Sequence, residues 1–124
     1  LMEIILREEI KSLGKAGDVL TAAAEYEKVS EGHGEMAGRA QILASDLWGS
    51  AGRTSESLIG YYKVHAVYES DTTTELAADA LLKISKMYET TGDTEKSRLA
   101  RTDLLNRYPN SQSARQAAAT GAGQ

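Results

Sequence analysis

The stretch Ala77–Pro109, AADALLKISKMYETTGDTEKSRLARTDLLNRYP, decides the fold. Ala77, Ala80, Leu81, Ile84, Met87 and Tyr88 recur at three- and four-residue steps, the apolar stripe of a helix. Gly92 falls where a helix C-terminus takes a left-handed residue, a geometry glycine adopts without steric cost. Asp93 follows as an N-cap, its carboxylate placed to accept from free backbone N–H groups of the next helix. That helix carries Leu99, Leu104 and Leu105 and ends before Pro109, which pushes Tyr108 out of helical geometry. The stretch predicts a helical hairpin.

The hairpin repeats along the chain. Shifting the chain by 40 residues aligns 35–71 with 75–111 without a gap and gives eight identities. They are Glu35/Glu75, Ala37/Ala77, Ala40/Ala80, Ser45/Ser85, Gly52/Gly92, Thr54/Thr94, Ser57/Ser97 and Tyr68/Tyr108. Chance at ordinary composition gives roughly two or three. Ile42/Leu82, Leu47/Met87, Trp48/Tyr88 and Val64/Leu104 keep their character as well. A shift of 35 finds an earlier partial copy, pairing Ala16-Gly17 with Ala51-Gly52, Tyr26 with Tyr61 and Lys28-Val29 with Lys63-Val64. Gly17, Gly52 and Gly92 therefore read as the repeat's structural glycines.

The expected helices lie at about 2–13, 18–30, 35–49, 54–69, 73–90 and 94–107, with a short terminal one at about 111–119. Thr72 and Glu75 fit a capping box opening the third unit. Gly32 and Gly34 mark a break. The expected organisation is one domain over 1–124, with units at about 1–33, 34–72 and 73–111, then a terminal helix and tail over 112–124.

These residues resemble the tetratricopeptide repeat. The third unit supplies Ser85, Tyr88, Gly92-Asp93, Ser97 and Tyr108-Pro109. The second supplies Trp48, Gly52, Ser57 and Tyr61, and the first Gly17-Asp18, Ala22 and Tyr26. The ending Arg107-Tyr108-Pro109-Asn110-Ser111 is similar to bacterial envelope members, of the Tol-Pal accessory and outer-membrane assembly lipoprotein types. Arg101 stands where the family places an aromatic, proline is missing from the other two units, and the lipidated cysteine of the lipoproteins is absent. The resemblance implies an all-α, right-handed solenoid of about three helical hairpins plus a short C-terminal helix, working by protein binding.

A second resemblance covers the start of the chain. Met2-Glu3-Ile4-Ile5-Leu6 through Leu13-Gly14-Lys15-Ala16-Gly17-Asp18-Val19 is similar to the opening of ribosomal protein L9. In that family the segment implies a strand and loop, followed by an RNA-contacting Gly-Tyr-Ala-Arg-Asn stretch. Here Thr21-Ala22-Ala23-Ala24-Glu25-Tyr26-Glu27-Lys28 follows instead, which is helical in character and acidic.

The composition of the 124 residues narrows the function classes. Net charge is −4, with both signs mixed along the chain, so no basic stripe exists to displace counterions from phosphates. Nucleic acid is not an expected partner. The absence of cysteine removes disulfides, thiolate catalysis and iron–sulfur ligation. No apolar run approaches the roughly 18 to 20 residues that span a bilayer, so no integral membrane segment is expected. The chain begins on Leu1 rather than Met. From that we expect a removed leader or a longer parent product, and a periplasmic or extracellular location.

Catalytic chemistry is sought without success. His33 lies between glycines and His65 in a helix, far apart in sequence and without cysteine, a poor set for zinc. Carboxylate pairs such as Glu8-Glu9 read as solvated helix faces, and no serine has a His or Lys motif beside it. No enzyme activity, catalytic residue, metal or cofactor is expected. His65 shares a face with Tyr61, Tyr62, Tyr68 and Glu69; its plainer role is a partly buried ring with a tyrosine or backbone partner. Tyr26, Tyr61 and Tyr88 fall on core positions, whereas Tyr62, Tyr68 and Tyr108 are less forced inward.

A helical hairpin cannot bury its apolar face alone, so units stack and the ends expose unfinished surface. The first helix carries Leu1, Met2, Ile4, Ile5, Leu6 and Ile10, and the last segment, Ala114 through Ala119, is small and apolar. Different exposed ends that meet head to tail propagate into rings or filaments. The leading expectation is a non-catalytic scaffold that self-associates as a homo-oligomer or filament through Leu1, Met2, Ile5, Ala114 and Ala118. One alternative is a monomeric adaptor holding a partner peptide on a concave groove with Tyr62, His65 and Tyr68. The other is an L9-like RNA-binding fragment.

Overall fold

The computed structural model describes residues 16–32, 34–69 and 74–121. Over these residues the protein is all-α, with consecutive helices packed together and no strand among them. The helices are α1 (Ala16–Ser30), α2 (Glu35–Ser50), α3 (Thr54–Tyr68), α4 (Thr74–Thr91), α5 (Thr94–Arg107) and α6 (Gln112–Gly121). Each of the expected boundaries from 18 onward lies within two residues of those observed, the usual fraying of helix ends. The expected helix near 2–13 and Thr72 of the expected capping box fall outside the described residues. Gly17, expected in the turn before α1, is already helical and is its second residue. Gly52 and Gly92 do hold the turns, at φ +81° and +87°.

The chain divides into two compact units, one ending at Gly60 and one beginning at Tyr61. In the first, α1 packs on α2. Tyr26 sits buried with Ala40 and Ala44, and Val29, Leu43, Leu47 and Trp48 pack around them. One carboxylate oxygen fixes the register of the two helices: Glu27 Oε1 accepts from Gln41 Nε2 and from Trp48 Nε1, both at 3.1 Å. Alanines and a glycine let backbones approach closely. Gly60 lies so near α2 that an added Cβ would overlap Ser45 Oγ and stand 3.2 Å from Ser45 Cβ.

In the second unit α4 packs on α5, and α6 packs on both. The predicted stripe is the inward face of α4: Ala77, Ala80, Leu81 and Ile84 are buried. Leu76 and Leu82 join them, each large aliphatic contributing about 1.5–3 kcal/mol when fully buried. On α5 the inward face is Ser97, Ala100 and Leu104, while Leu99 and Leu105 point outward. Asp93 caps α5 as expected, accepting from Lys96 N at 3.1 Å.

The 40-residue repeat has a hydrogen-bonded counterpart inside each unit. In the first, Ser57 Oγ donates to the Ser45 carbonyl at 2.7 Å. In the second, Ser85 Oγ donates to the Ser97 carbonyl at 3.0 Å. The equivalent serine pair ties the two helices each time, with donor and acceptor exchanged. A buried serine must find a partner, and the facing backbone supplies it.

Candidate interaction groove

The second unit carries an open groove of about 550 Å³. Tyr62 of α3 forms one wall, Leu81, Ile84 and Tyr88 of α4 its floor, and Leu99, Ala100, Asp103 and Asn106 of α5 the other wall. Each falls there through helical spacing. Leu81, Ile84 and Tyr88 lie on one face of α4, and Leu99, Asp103 and Asn106 recur on one face of α5. Lys96 closes an end, its Nζ 5.5 Å from the centre of the Tyr88 ring and 3.7 Å from Asp93 Oδ2.

Tyr62 spans the rim. Its ring is 46% exposed, and its hydroxyl lies 3.1 Å from that of Tyr88. Burial of that hydroxyl, with the hydrogen bond to Tyr88 adding to it, pushes the Tyr62 phenol up to about 12. The Tyr62 phenol is neutral at physiological pH, and the two hydroxyls present a hydrogen-bonding rim above an apolar floor. Leu99 stands 53% exposed beside them. The equivalent position one repeat earlier is Ile59, 65% exposed.

One turn beyond Tyr62, His65 enters a polar cluster with the end of α5. Tyr108 Oη lies 3.2 Å from His65 Nε2, and Arg107 Nη1 lies 3.4 Å from the same nitrogen. On the other side of the ring, Nδ1 is 3.9 Å from Glu69 Oε2. Arg107 Nη2 donates to Glu69 Oε2 at 3.2 Å, and Nη1 stands 3.6 Å from Asp103 Oδ2. The His65 side chain is only 12% exposed. Burial and then the Arg107 charge hold its pKa below the ordinary value, against the opposing pull of Glu69 and Asp103. Burial likewise raises Tyr108.

The sequence-predicted site residues separate here. Tyr62 lines the groove, His65 belongs to the neighbouring cluster, and Tyr68 is buried. Tyr108 is also buried, while Tyr88, expected in the core, is half-exposed and lines the groove floor. Ala114 is buried with Ala117 on the inner face of α6, so it serves as core; Ala118 faces outward. Leu1, Met2 and Ile5 lie outside the described residues. Sequence reasoning missed Leu99, Lys96 and Asp103. The signal for Leu99 was available: the 40-residue shift places it on Ile59, a branched aliphatic at the same repeat position.

The groove has apolar area, phenols and one charge of each sign at its edges, with no nucleophile hydrogen-bonded to a base. Such a surface suits protein contact, where tyrosine offers area with a polar tip. Among the described residues no group of three or more His, Asp or Glu is gathered to hold a metal ion. No helix among them is long and apolar enough to cross a membrane.

Compared with known proteins, residues 2–28 match the family described as ribosomal protein L9, N-terminal domain. That span is under a quarter of the chain. Of it, residues from Ala16 onward are described, and they are helical. No curated protein and no solved structure matches the chain.

Proposed function

We propose that the chain is a non-catalytic scaffold of tetratricopeptide-like hairpins, stacked as a right-handed solenoid, that binds protein, with another copy of itself as the first partner. The observation that carries this reading is the pair Ile59 and Leu99. The same repeat position on two second helices presents an aliphatic side chain that its own chain leaves largely exposed. Covering one such side chain is worth about 1.5–3 kcal/mol. The groove beside Leu99 supplies adjacent apolar area and a phenolic rim. Ala118, outward on α6, supports an additional contact at the C-terminal end. An envelope or extracellular setting belongs to the same reading, through the ending Tyr108-Pro109-Asn110-Ser111.

Sedimentation velocity over a wide concentration range tests it. The wild-type chain is expected to form concentration-dependent oligomers. Ile59→Glu with Leu99→Glu should shift it toward monomer and leave the far-ultraviolet circular dichroism unchanged. A wild-type chain that stays monomeric at every concentration removes self-association and leaves the groove to a different protein, as an adaptor.

The family match favours a second reading, an RNA-binding fragment like the N-terminal domain of ribosomal protein L9. The charge of the matched segment, which is net acidic, opposes it.

A further inference from the structure

We propose that His65 is a pH-sensitive latch: its neutral ring ties the end of α3 to the end of α5, and its protonation releases that tie and alters the spacing of the groove walls.

The charges around the ring assign its proton. Nε2 faces two donors, the Tyr108 hydroxyl at 3.2 Å and the Arg107 guanidinium at 3.4 Å. Guanidinium has no acceptor, so Nε2 must offer a lone pair to both. The proton of the neutral ring therefore sits on Nδ1, turned toward Glu69 Oε2 at 3.9 Å. The titratable and charged groups facing the ring are Arg107 and Asp103 on α5, Tyr108 just after it, and Glu69 just after α3. Protonation converts Nε2 from an acceptor shared by two donors into a donor pointed at a cation, in a side chain that is mostly out of water. The two carboxylates soften this conflict without removing it. Glu69 is already held by Arg107 at 3.2 Å, and Asp103 lies 3.6 Å from the same guanidinium.

Two groove walls depend on this tie. Tyr62 lies three residues before His65 on α3, one turn away on a neighbouring face. Asp103, which lines the opposite wall, faces Arg107 directly. Releasing the tie frees the two helices to change their spacing where the groove opens. The latch concerns the free protein; only its effect on a bound protein rests on the function proposed above.

The sign follows from linkage. A histidine whose folded pKa lies below its unfolded value of about 6.5 takes its proton more readily when the chain unfolds. Its contribution to stability is full above that value and is lost as pH falls through it toward the folded pKa.

The test is a pH titration of the full chain followed by histidine and tyrosine ring resonances, with urea unfolding at matched pH. His65 is expected to titrate below the ordinary histidine range, with the Tyr62 and Tyr88 rings shifting at the same midpoint. The urea midpoint should fall more steeply between about pH 7.5 and 5.5 in the wild type than in His65→Gln, whose amide oxygen accepts from Tyr108 at every pH. Tyr108→Phe removes one donor to Nε2 and should raise the His65 midpoint. Parallel pH profiles for the wild type and His65→Gln would overturn the latch. So would a His65 titration that leaves the Tyr62 ring unmoved.

Discussion

At the scale of the residue, Gly60 shows how little room the helix contacts leave. A Cβ there would overlap Ser45 Oγ and lie 2.7 Å from Gln41 Nε2 and 3.2 Å from Ser45 Cβ. Rotating the serine hydroxyl away relieves the first clash and leaves the Cβ contact. Replacing glycine by alanine inside a helix ordinarily gains about 0.8–1 kcal/mol, whereas overpacking a tight contact costs about 1–3 kcal/mol. The clash wins. Gly60→Ala is expected to lower stability by about 1 kcal/mol in urea unfolding, against its helix propensity. In a Ser45→Gly background the same change should cost less, because both Ser45 atoms are gone and only the end of the flexible Gln41 side chain remains opposite. Equal cost in the two backgrounds would show that Ser45 is not the obstacle. The equivalent position one repeat later is Ala100, which is buried. Identity at shifted positions made Ser45, Ser57 and Gly52 legible in the sequence, and Gly92 just before it marked Asp93 as a cap, because a cap or a turn is decided by nearest neighbours. Tyr68 was not legible. Its burial depends on which helix arrives opposite it, and spacing along its own helix does not say.

At the scale of the element, α6 is held at its first turn by a residue 37 positions away. The first N–H groups of a helix have no partner within it. Glu75 of α4 accepts from Gln112 N at 2.8 Å, from Ser113 N at 3.2 Å and from Ser113 Oγ at 2.8 Å. Ser111 serves the next two: its Oγ accepts from Ala114 N at 2.9 Å and its carbonyl from Arg115 N at 3.2 Å. With Ser111 N donating to the Tyr108 carbonyl at 3.1 Å, every N–H of the first turn is matched, and a carboxylate at this end also suits the helix dipole. Glu75 read as half of a capping box for its own helix. Its carboxylate faces α6 instead, which a local motif cannot foresee. Glu75→Ala is expected to cost about 1 kcal/mol. Amide exchange should accelerate across 112–118 as Ala114 and Ala117 lose their cover. Glu75→Gln keeps an acceptor without the charge and should recover part of the protection. Unchanged exchange in Glu75→Ala would mean that apolar packing alone holds α6. The helix boundaries themselves were readable to within two residues, since glycine, proline and capping residues punctuate them. How α6 is held was not, because contacts between elements leave no periodic trace.

At the scale of the whole molecule, charge decides between the two classes of partner. The chain carries 14 basic and 18 acidic residues and a net charge of −4. The segment that matches the L9 family, residues 2–28, holds four Lys or Arg against six Asp or Glu, so it is itself net acidic. Its described part is the acidic helix α1, where Lys28 is already paired with Glu25 at 3.3 Å. An RNA-binding surface must release counterions from phosphates, and each phosphate contact steepens the fall of affinity with salt. A segment of this charge has few cations to offer. The expectation is therefore that a labelled RNA hairpin shows no anisotropy change with this chain even at low ionic strength. Binding that weakens steeply as salt rises, and that is lost on changing Arg7, Lys11 and Lys15 to glutamine, would overturn the protein-binding proposal and place the chain with the L9-like proteins.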